Sequence, residues 1–427
     1  MNETDTLSPE SSPLRIANFR AYFVSRLTMT LAQYAMMLII GWQTYNIARD
    51  SGLGVAEASG QLALIGLLQF VPLFLLTPFS GWAADHFDRR NVARLTMLAQ
   101  LGCAATLTWF TWSETLTITA LFGVAIVLGI VRAFNGPALS ALAPNLVPKT
   151  ILPNAIALSS IAWQTGMIVG PAIGGYTHAI YPALPYAFAC VLFGVAITAL
   201  SSIGKVPQPP REANKRPIHQ MVEGLRYVVR NKMVLGAITL DLFAVFLAGA
   251  TALFPVFARD ILQVGETGLA QLAMAPAVGA ALTALWFSFR PLKTNVGPRM
   301  LWAVGIFGMA TIIFGFSKWM PLSLAMLFIV GAADMFSVYI RQSLIQLHTP
   351  DDKRGRVSSV SLLTISASNE FGDFFSGSLA FLIGPVFAVV GGGVGAIVTV
   401  AIWARIFPVL RTTRTFDPPE ELLDSPP

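Results

Sequence analysis

The stretch "GWAADHFDRR", residues 81–90, sets Asp85, His86, Asp88, Arg89 and Arg90 between two long apolar runs of a 427-residue chain that is only 12% charged. The flanking runs decide the class. Hydrophobic residues make up 55% of the chain, the mean hydropathy is +0.65, and apolar runs of roughly twenty residues recur throughout, more than a soluble core requires. These runs are continuous, whereas a membrane barrel strand alternates and is only about ten residues long, and lipid offers no partner to open backbone groups. An all-α membrane protein is therefore expected. The first run, near 21–47, is too long for a signal peptide and lacks its small-residue cleavage site, so it reads as an anchor. Cys103 and Cys190 fall inside apolar runs and read as packing residues rather than a disulfide or metal site.

Working outward from the opening stretch, twelve transmembrane helices are expected at 21–47, 59–83, 92–112, 116–140, 152–177, 184–204, 233–258, 266–289, 298–317, 321–346, 357–382 and 386–408. The cations sort by side. With a cytoplasmic N-terminus, the inner face collects Arg15, Arg20, Arg89, Arg90, Arg94, Lys149, the cations of 205–232, Arg290, Lys293, Arg299, Lys353, Arg354, Arg356, Arg405, Arg411 and Arg414. The outer face keeps Arg49, Arg259 and Lys318. This positive-inside bias puts both termini in the cytoplasm and explains the pI of about 9.5 without nucleic acid.

The organisation read from the sequence is a cytoplasmic tail (1–20), a six-helix bundle (21–204), a polar linker (205–232), a second six-helix bundle (233–408) and a cytoplasmic tail (409–427). In the linker, Ile218, Met221, Val222, Leu225 and Val229 recur at helical spacing opposite Glu223, Arg226 and Arg230. That pattern predicts an amphipathic helix on the inner membrane surface.

Gly81, Asp85, Arg89 and Arg90 resemble the G-x-x-x-D-x-x-x-R-R/K signature that transporters of the major facilitator superfamily carry between helices two and three, with Asp88 where glycine is usual. Arg132, Asn135 and Gly136 resemble the family's helix-four R-x-x-Q-G, with Asn for Gln. Gly166, Gly170, Pro171, Gly174 and Gly175 match the helix-five G-x-x-x-G-P-x-x-G-G pattern of proton-exchanging exporters. Residues 344–359, "LIQLHTPDDKRGRVSS", and "EGLRYVVRN" resemble a narrower branch of drug and siderophore exporters, such as the enterobactin exporter and macrolide efflux pumps. The resemblance implies two six-helix halves working by alternating access, with Arg132 linked to coupling. Independently of it, glycines four apart form a stripe along which another helix can approach closely. The second half's counterpart of the opening loop, "RPLKTNVGPRM", keeps Gly297 and Arg299 but has Thr294 near the place of Asp85.

Seven charges fall within the expected spans: Arg26, Arg132, Asp241, Asp334, Arg341, Glu370 and Asp373. Each costs about 2.5–3.5 kcal/mol at a helix centre, roughly 20 kcal/mol together, so pairing, neutralisation or a wet cavity is required. Asp334 and Glu370 lie near the expected midplane and lead as proton carriers. Glu370 and Asp373, three apart on one face, should raise each other's carboxyl pKa. Asp334 and Arg341, seven apart, are the alternative structural pair, and Asp241 ranks below Asp334. Arg132, Arg341 and Arg26 are the expected substrate or coupling arginines, with Arg26 close enough to a helix end to snorkel. Gly81, Asp85, Arg89 and Arg90 form the expected gating loop, Asp85 meeting the start of the eleventh helix near Val357–Ser359.

No histidine has metal-ligand spacing and no phosphate-cradling G-x-x-x-x-G-K-[ST] occurs, so no enzyme, metal, cofactor or ATP-driven pump is expected. The expectation is a monomeric, multi-pass exporter of the bacterial inner membrane, exchanging a small amphipathic molecule, of drug or siderophore type, for protons. Sodium is the alternative ion. Proton-coupled uptake and a non-transporting receptor or lipid-moving scaffold are the alternative functions.

Overall fold

A computed structural model of the chain describes the backbone of residues 12–204, 217–290 and 292–417, and their side chains apart from residues 78, 81–86, 141, 149, 217–221, 351, 352, 359, 362, 366, 367 and 370. The tail before residue 12, the linker from 205 to 216 and the tail from 418 lie outside these residues, as do the side chains of Gly81, Asp85 and Glu370.

All regular elements among the described residues are helices: α1 (Ala17–Asp50), α2 (Val55–His86), α3 (Arg89–Trp112), α4 (Ile118–Leu142), α5 (Leu152–Ile180), α6 (Leu184–Ser201), α7 (Pro217–Arg230), α8 (Lys232–Ala248), α9 (Phe254–Val256), α10 (Gly265–Phe289), α11 (Val296–Phe316), α12 (Met320–Leu347), α13 (Asp351–Ile383), α14 (Pro385–Ile406) and α15 (Pro408–Thr412), with short 3-10 and π turns between some of them. Each expected span overlaps a helical segment, and among the described residues ten of these segments are long and apolar enough to cross a membrane. The other two are α3, which opens on Arg89, Arg90 and Arg94, and α13, whose first half is rich in serine and charge. The boundaries follow local chemistry. Asp88, Thr117 and Asn231 cap α3, α4 and α8 by accepting from backbone N–H groups of the first turn.

Two boundaries differ from expectation by more than four residues. The seventh span does not run unbroken from 233 to 258: α8 stops at Ala248, and the chain resumes through Thr251–Leu253, α9 and a π turn at Phe257–Ile261. Gly249 sits within van der Waals reach of Gly372 on α13, and Pro255 brings no N–H to bond the preceding turn. The eleventh span starts at Asp351, not 357. Pro350 holds an extended conformation (φ −56°, ψ 149°) and the helix begins directly after it. Val357–Ser359 therefore lie inside α13, where the helix's own carbonyls already bond the N–H groups that an approaching Asp85 was expected to meet.

Contacts divide the chain into two compact units, Met1–Ile47 with Leu68–Asn214 and Glu266–Ala270, and Ala48–Leu67 with Lys215–Gly265 and Gln271–Pro427. Small residues explain the two exchanged segments. In the first unit a Cβ on Gly175 of α5 would lie 2.5 Å from the Ala270 Cβ, so the start of α10 packs directly on α5. In the second, a Cβ on Gly377 of α13 would lie 2.8 Å from Ala63, and one on Gly66 would lie 3.1 Å from the Phe374 nitrogen, which seats the start of α2 on α13. The second unit's core joins Val228 of α7, Met233 and Ile238 of α8, Met300 of α11, Leu344 of α12 and Val357 of α13.

Candidate functional site

In the first unit the helix-five glycines carry the packing. Cβ atoms on Gly166 and Gly170 would fall 2.5 Å from Thr30 and 2.7 Å from Tyr34 of α1, and Gly174 meets the Ala35 backbone; Gly166, Gly170, Pro171, Gly174 and Gly175 are all buried. That contact holds α1 so that Tyr22 accepts from Arg26 Nη1 at 2.9 Å, donates to the Leu139 carbonyl (3.2 Å) and lies 3.1 Å from the Ser159 hydroxyl. Arg26 thus reaches back one turn and ends on a buried phenol. Arg132 of α4 donates to Gln69 Oε1 at 3.3 Å, beside a close approach of Gly129 to the Gln69 backbone. Asn135, in the place of the family's glutamine, bonds Thr96 at 3.2 Å.

In the second unit Arg341 of α12 pairs with Asp241 of α8, both side chains buried. The expected alternative, Asp334 with Arg341, is therefore not made. Asp373 of α13 accepts from the Thr251 hydroxyl at 3.2 Å. Asp334, midway along α12, is half-buried and makes no hydrogen bond or ion pair with a described residue. It stands one turn beyond Gly331, whose face abuts Pro276 of α10. Phe246 of α8 stacks on Phe371 and packs tilted against Phe375 of α13, giving this unit an aromatic wall on the same helix as Asp373.

The opening stretch is held locally. Asp88 accepts from the Arg90 backbone (2.9 Å) and side chain (2.7 Å), and the guanidinium beside it keeps its carboxyl below the usual range. Arg90 also donates to the carbonyls of Ile203 (2.9 Å) and Gly204 (2.6 Å), and Arg94 lies at 3.4 Å from those of Leu200 and Ser201. Both cations thus serve the C-terminal end of α6, whose last carbonyls lack helical partners. Asp88 is a positive element of this loop, not a lapse in it.

Reasoning from sequence missed a second charge cluster. Arg49 donates to both Asp260 oxygens (3.0 and 3.3 Å) and Arg259 to Asp50 (2.6 Å), four residues of the second unit paired crosswise. Its signal was present: Ala-Arg-Asp occurs at 48–50, closing the first span, and again at 258–260, closing the seventh. Arg259 and Asp260 fall on the π turn, a helix defect frequent at functional positions.

Comparison with known proteins is consistent with this arrangement. The enterobactin exporter EntS of Escherichia coli O1:K1 / APEC is 23% identical over 422 residues, covering 97% of both chains. The multidrug efflux pump Tap of Mycobacterium tuberculosis (strain ATCC 25618 / H37Rv) is 25% identical over 334 residues, 75% of this chain and 79% of that one. Among solved structures, a D-xylose-proton symporter superposes with a TM-score of 0.68 at 14% identity, covering 92% of this chain and 98% of its own, which establishes the fold alone. The family model of the Major Facilitator Superfamily matches residues 19–372. The chain belongs to that superfamily, and is accordingly a multi-pass membrane transporter of small molecules and not an enzyme.

Proposed function

We propose that this transporter exports a small amphipathic molecule of drug or siderophore type in exchange for protons, as a monomer in the bacterial inner membrane with both termini cytoplasmic. The observation that carries the coupling is Asp334, a carboxyl midway along a membrane helix with no partner among the described residues. An intramembrane carboxyl in that position is costly to keep charged and cheap to protonate, which suits a proton carrier. Glu370 and Asp373 are the second acidic station; within the first unit Arg132 and Arg26 supply charge, and within the second the aromatic wall at Phe246 and Phe371 supplies apolar surface. The direction is supported by the glycine pattern of α5 and by two relatives whose names are those of an exporter and an efflux pump.

Alternating access requires each face to close in turn. The crossed Arg49–Asp260 and Arg259–Asp50 pairs serve as the closure of the outer face, where both Ala-Arg-Asp segments lie under the proposed topology. The loop at 81–90, through Gly81, Asp85, Arg89 and Arg90, serves the inner face.

The test is transport in proteoliposomes under an imposed pH gradient, with a lipophilic cationic dye and a catecholate ligand as probes. Asp334→Asn is expected to insert normally and to lose both gradient-driven substrate movement and substrate-induced proton movement. If both persist at wild-type rate, Asp334 is not the carrier. Protons and substrate moving in the same direction would replace export with uptake.

A further inference from the structure

Helix α7 presents three different arcs. At about 100° per residue, Gly224, Tyr227 and Val228 share one side, Val222, Leu225 and Val229 fall within about 60° of one another on a second, and Arg226 and Arg230 follow within about 80° on a third. The first arc is docked on the second unit. The Arg356 backbone of α13 leaves no room for a side chain at Gly224, Glu223 pairs with Arg356 at 2.7 Å, and Tyr227 donates to the His348 carbonyl at 2.8 Å, with the Lys353 ammonium 5.4 Å above its ring. His348 itself donates Nδ1–H to the Leu344 carbonyl at 3.0 Å, and burial keeps its imidazole below the ordinary pKa. These contacts tie α7 to the turn where α12 ends and α13 begins, which under the proposed topology lies at the inner boundary of the bilayer. The second arc is uncovered, with Val222, Leu225 and Val229 at 41%, 51% and 56% exposure, and the two arginines bordering it are exposed as well.

We propose that α7 is an interfacial helix that lays Val222, Leu225 and Val229 on the acyl-chain boundary of the bilayer, binds anionic phospholipid headgroups through Arg226 and Arg230, and transmits that contact to the start of α13 through Gly224 and the Glu223–Arg356 pair. Charge and geometry select this occupant. An apolar stripe flanked by cations, fixed at the depth where spans end, matches a leaflet whose surface is negative and whose interior is hydrocarbon. A protein partner would have to reach a strip already facing that layer. Arg226 and Arg230 can lie along the stripe by their stems and reach phosphate with their guanidinium groups. Lipid composition thereby becomes an input to α13, the helix that also bears Glu370 and Asp373.

The experiment uses the full-length protein, with Cys103 and Cys190 replaced by alanine and an environment-sensitive fluorophore on Leu225→Cys, reconstituted into vesicles of phosphatidylcholine alone or with about one-third phosphatidylglycerol. Lipids brominated high on the acyl chain should quench the label, more strongly with phosphatidylglycerol present. The excess should fall by at least half in Arg226→Gln/Arg230→Gln. Quenching by aqueous iodide alone, shielding from both quenchers, or equal lipid quenching with and without the arginines would each overturn the proposal. Amide exchange at residues 351–358 reads the transmitted part. It should slow with phosphatidylglycerol in the wild type and lose that dependence in Glu223→Gln, whose label should still be quenched. An unchanged dependence in Glu223→Gln overturns the transmission.

Discussion

Two sets of ion pairs in the second unit follow different physics. Asp241 and Arg341 meet with side chains only 8% and 3% exposed, whereas Arg49 and Asp260 are 26% and 19% exposed, and Arg259 and Asp50 are 29% and 67%. Removing both charges of the first pair from water is the dominant cost, and only their mutual contact offsets it. Water already solvates the second set in part, so forming and breaking these pairs changes little. One set therefore fixes the packing of α8 against α12, while the other is suited to opening and closing on each transport cycle. The buried pair also accounts for two of the seven intramembrane charges without recourse to coupling.

The largest expected effect breaks the buried pair. Arg341→Leu strands the Asp241 carboxylate and should cost about 3–5 kcal/mol, read as a large fall in melting temperature and in the monodisperse yield from detergent. Asp241→Asn combined with Arg341→Met removes both charges and should recover most of that loss. If Arg341→Leu melts with the wild type, the pair does not fix the packing and the contrast between the two sets collapses.

A smaller effect sharpens the other side of the comparison. A double-mutant cycle of Arg49→Gln and Asp260→Asn should give a coupling of about 0.5–1 kcal/mol in thermal unfolding, as expected for a partly exposed bidentate pair. The informative readout is conformational. In a background without native cysteines, a thiol placed at Leu53, whose carbonyl accepts from Arg49 at 2.8 Å, should label faster in either single variant than in the unmutated parent. Unchanged labelling would make the crossed pairs ornamental to gating.

What the sequence disclosed divides along the same line. Helix positions were legible because lipid demands long apolar runs and proline marks where several of them begin, so α5, α12 and α14 begin within a residue of expectation. The amphipathic α7 was legible from spacing alone. The break at Gly249 was not, since the glycine serves a crossing with a helix more than a hundred residues away. Nor was the partner of Arg341, because Asp334 on the same helix face is the nearer acid in sequence while Asp241 is the nearer in space. The crossed pairs could have been found from the repeated Ala-Arg-Asp, a symmetry that composition and single-motif resemblance do not register. In the opening loop the sequence points to Asp85, whereas the described contacts belong to Asp88 and Arg90.

That loop supplies the smallest expected effect and a control for both pair sets. The Asp88 carboxyl is held below its ordinary pKa chiefly by its hydrogen bonds from Arg90. A depressed carboxyl contributes stability that is complete above its unfolded value, near 4, and is lost as pH falls through the lower folded value. The difference in melting temperature between wild type and Asp88→Asn should therefore be constant from about pH 5 to 8 and shrink only in stronger acid. Because Arg90 also holds the Ile203 and Gly204 carbonyls, that difference should stay small, whereas Arg90→Gln, which uncaps the end of α6 as well, should cost more at every pH. A pH-dependent difference near neutrality would mean that Asp88 answers to a group beyond Arg90 and Arg94, and the loop would then rank with the switching pairs rather than with the fixed ones.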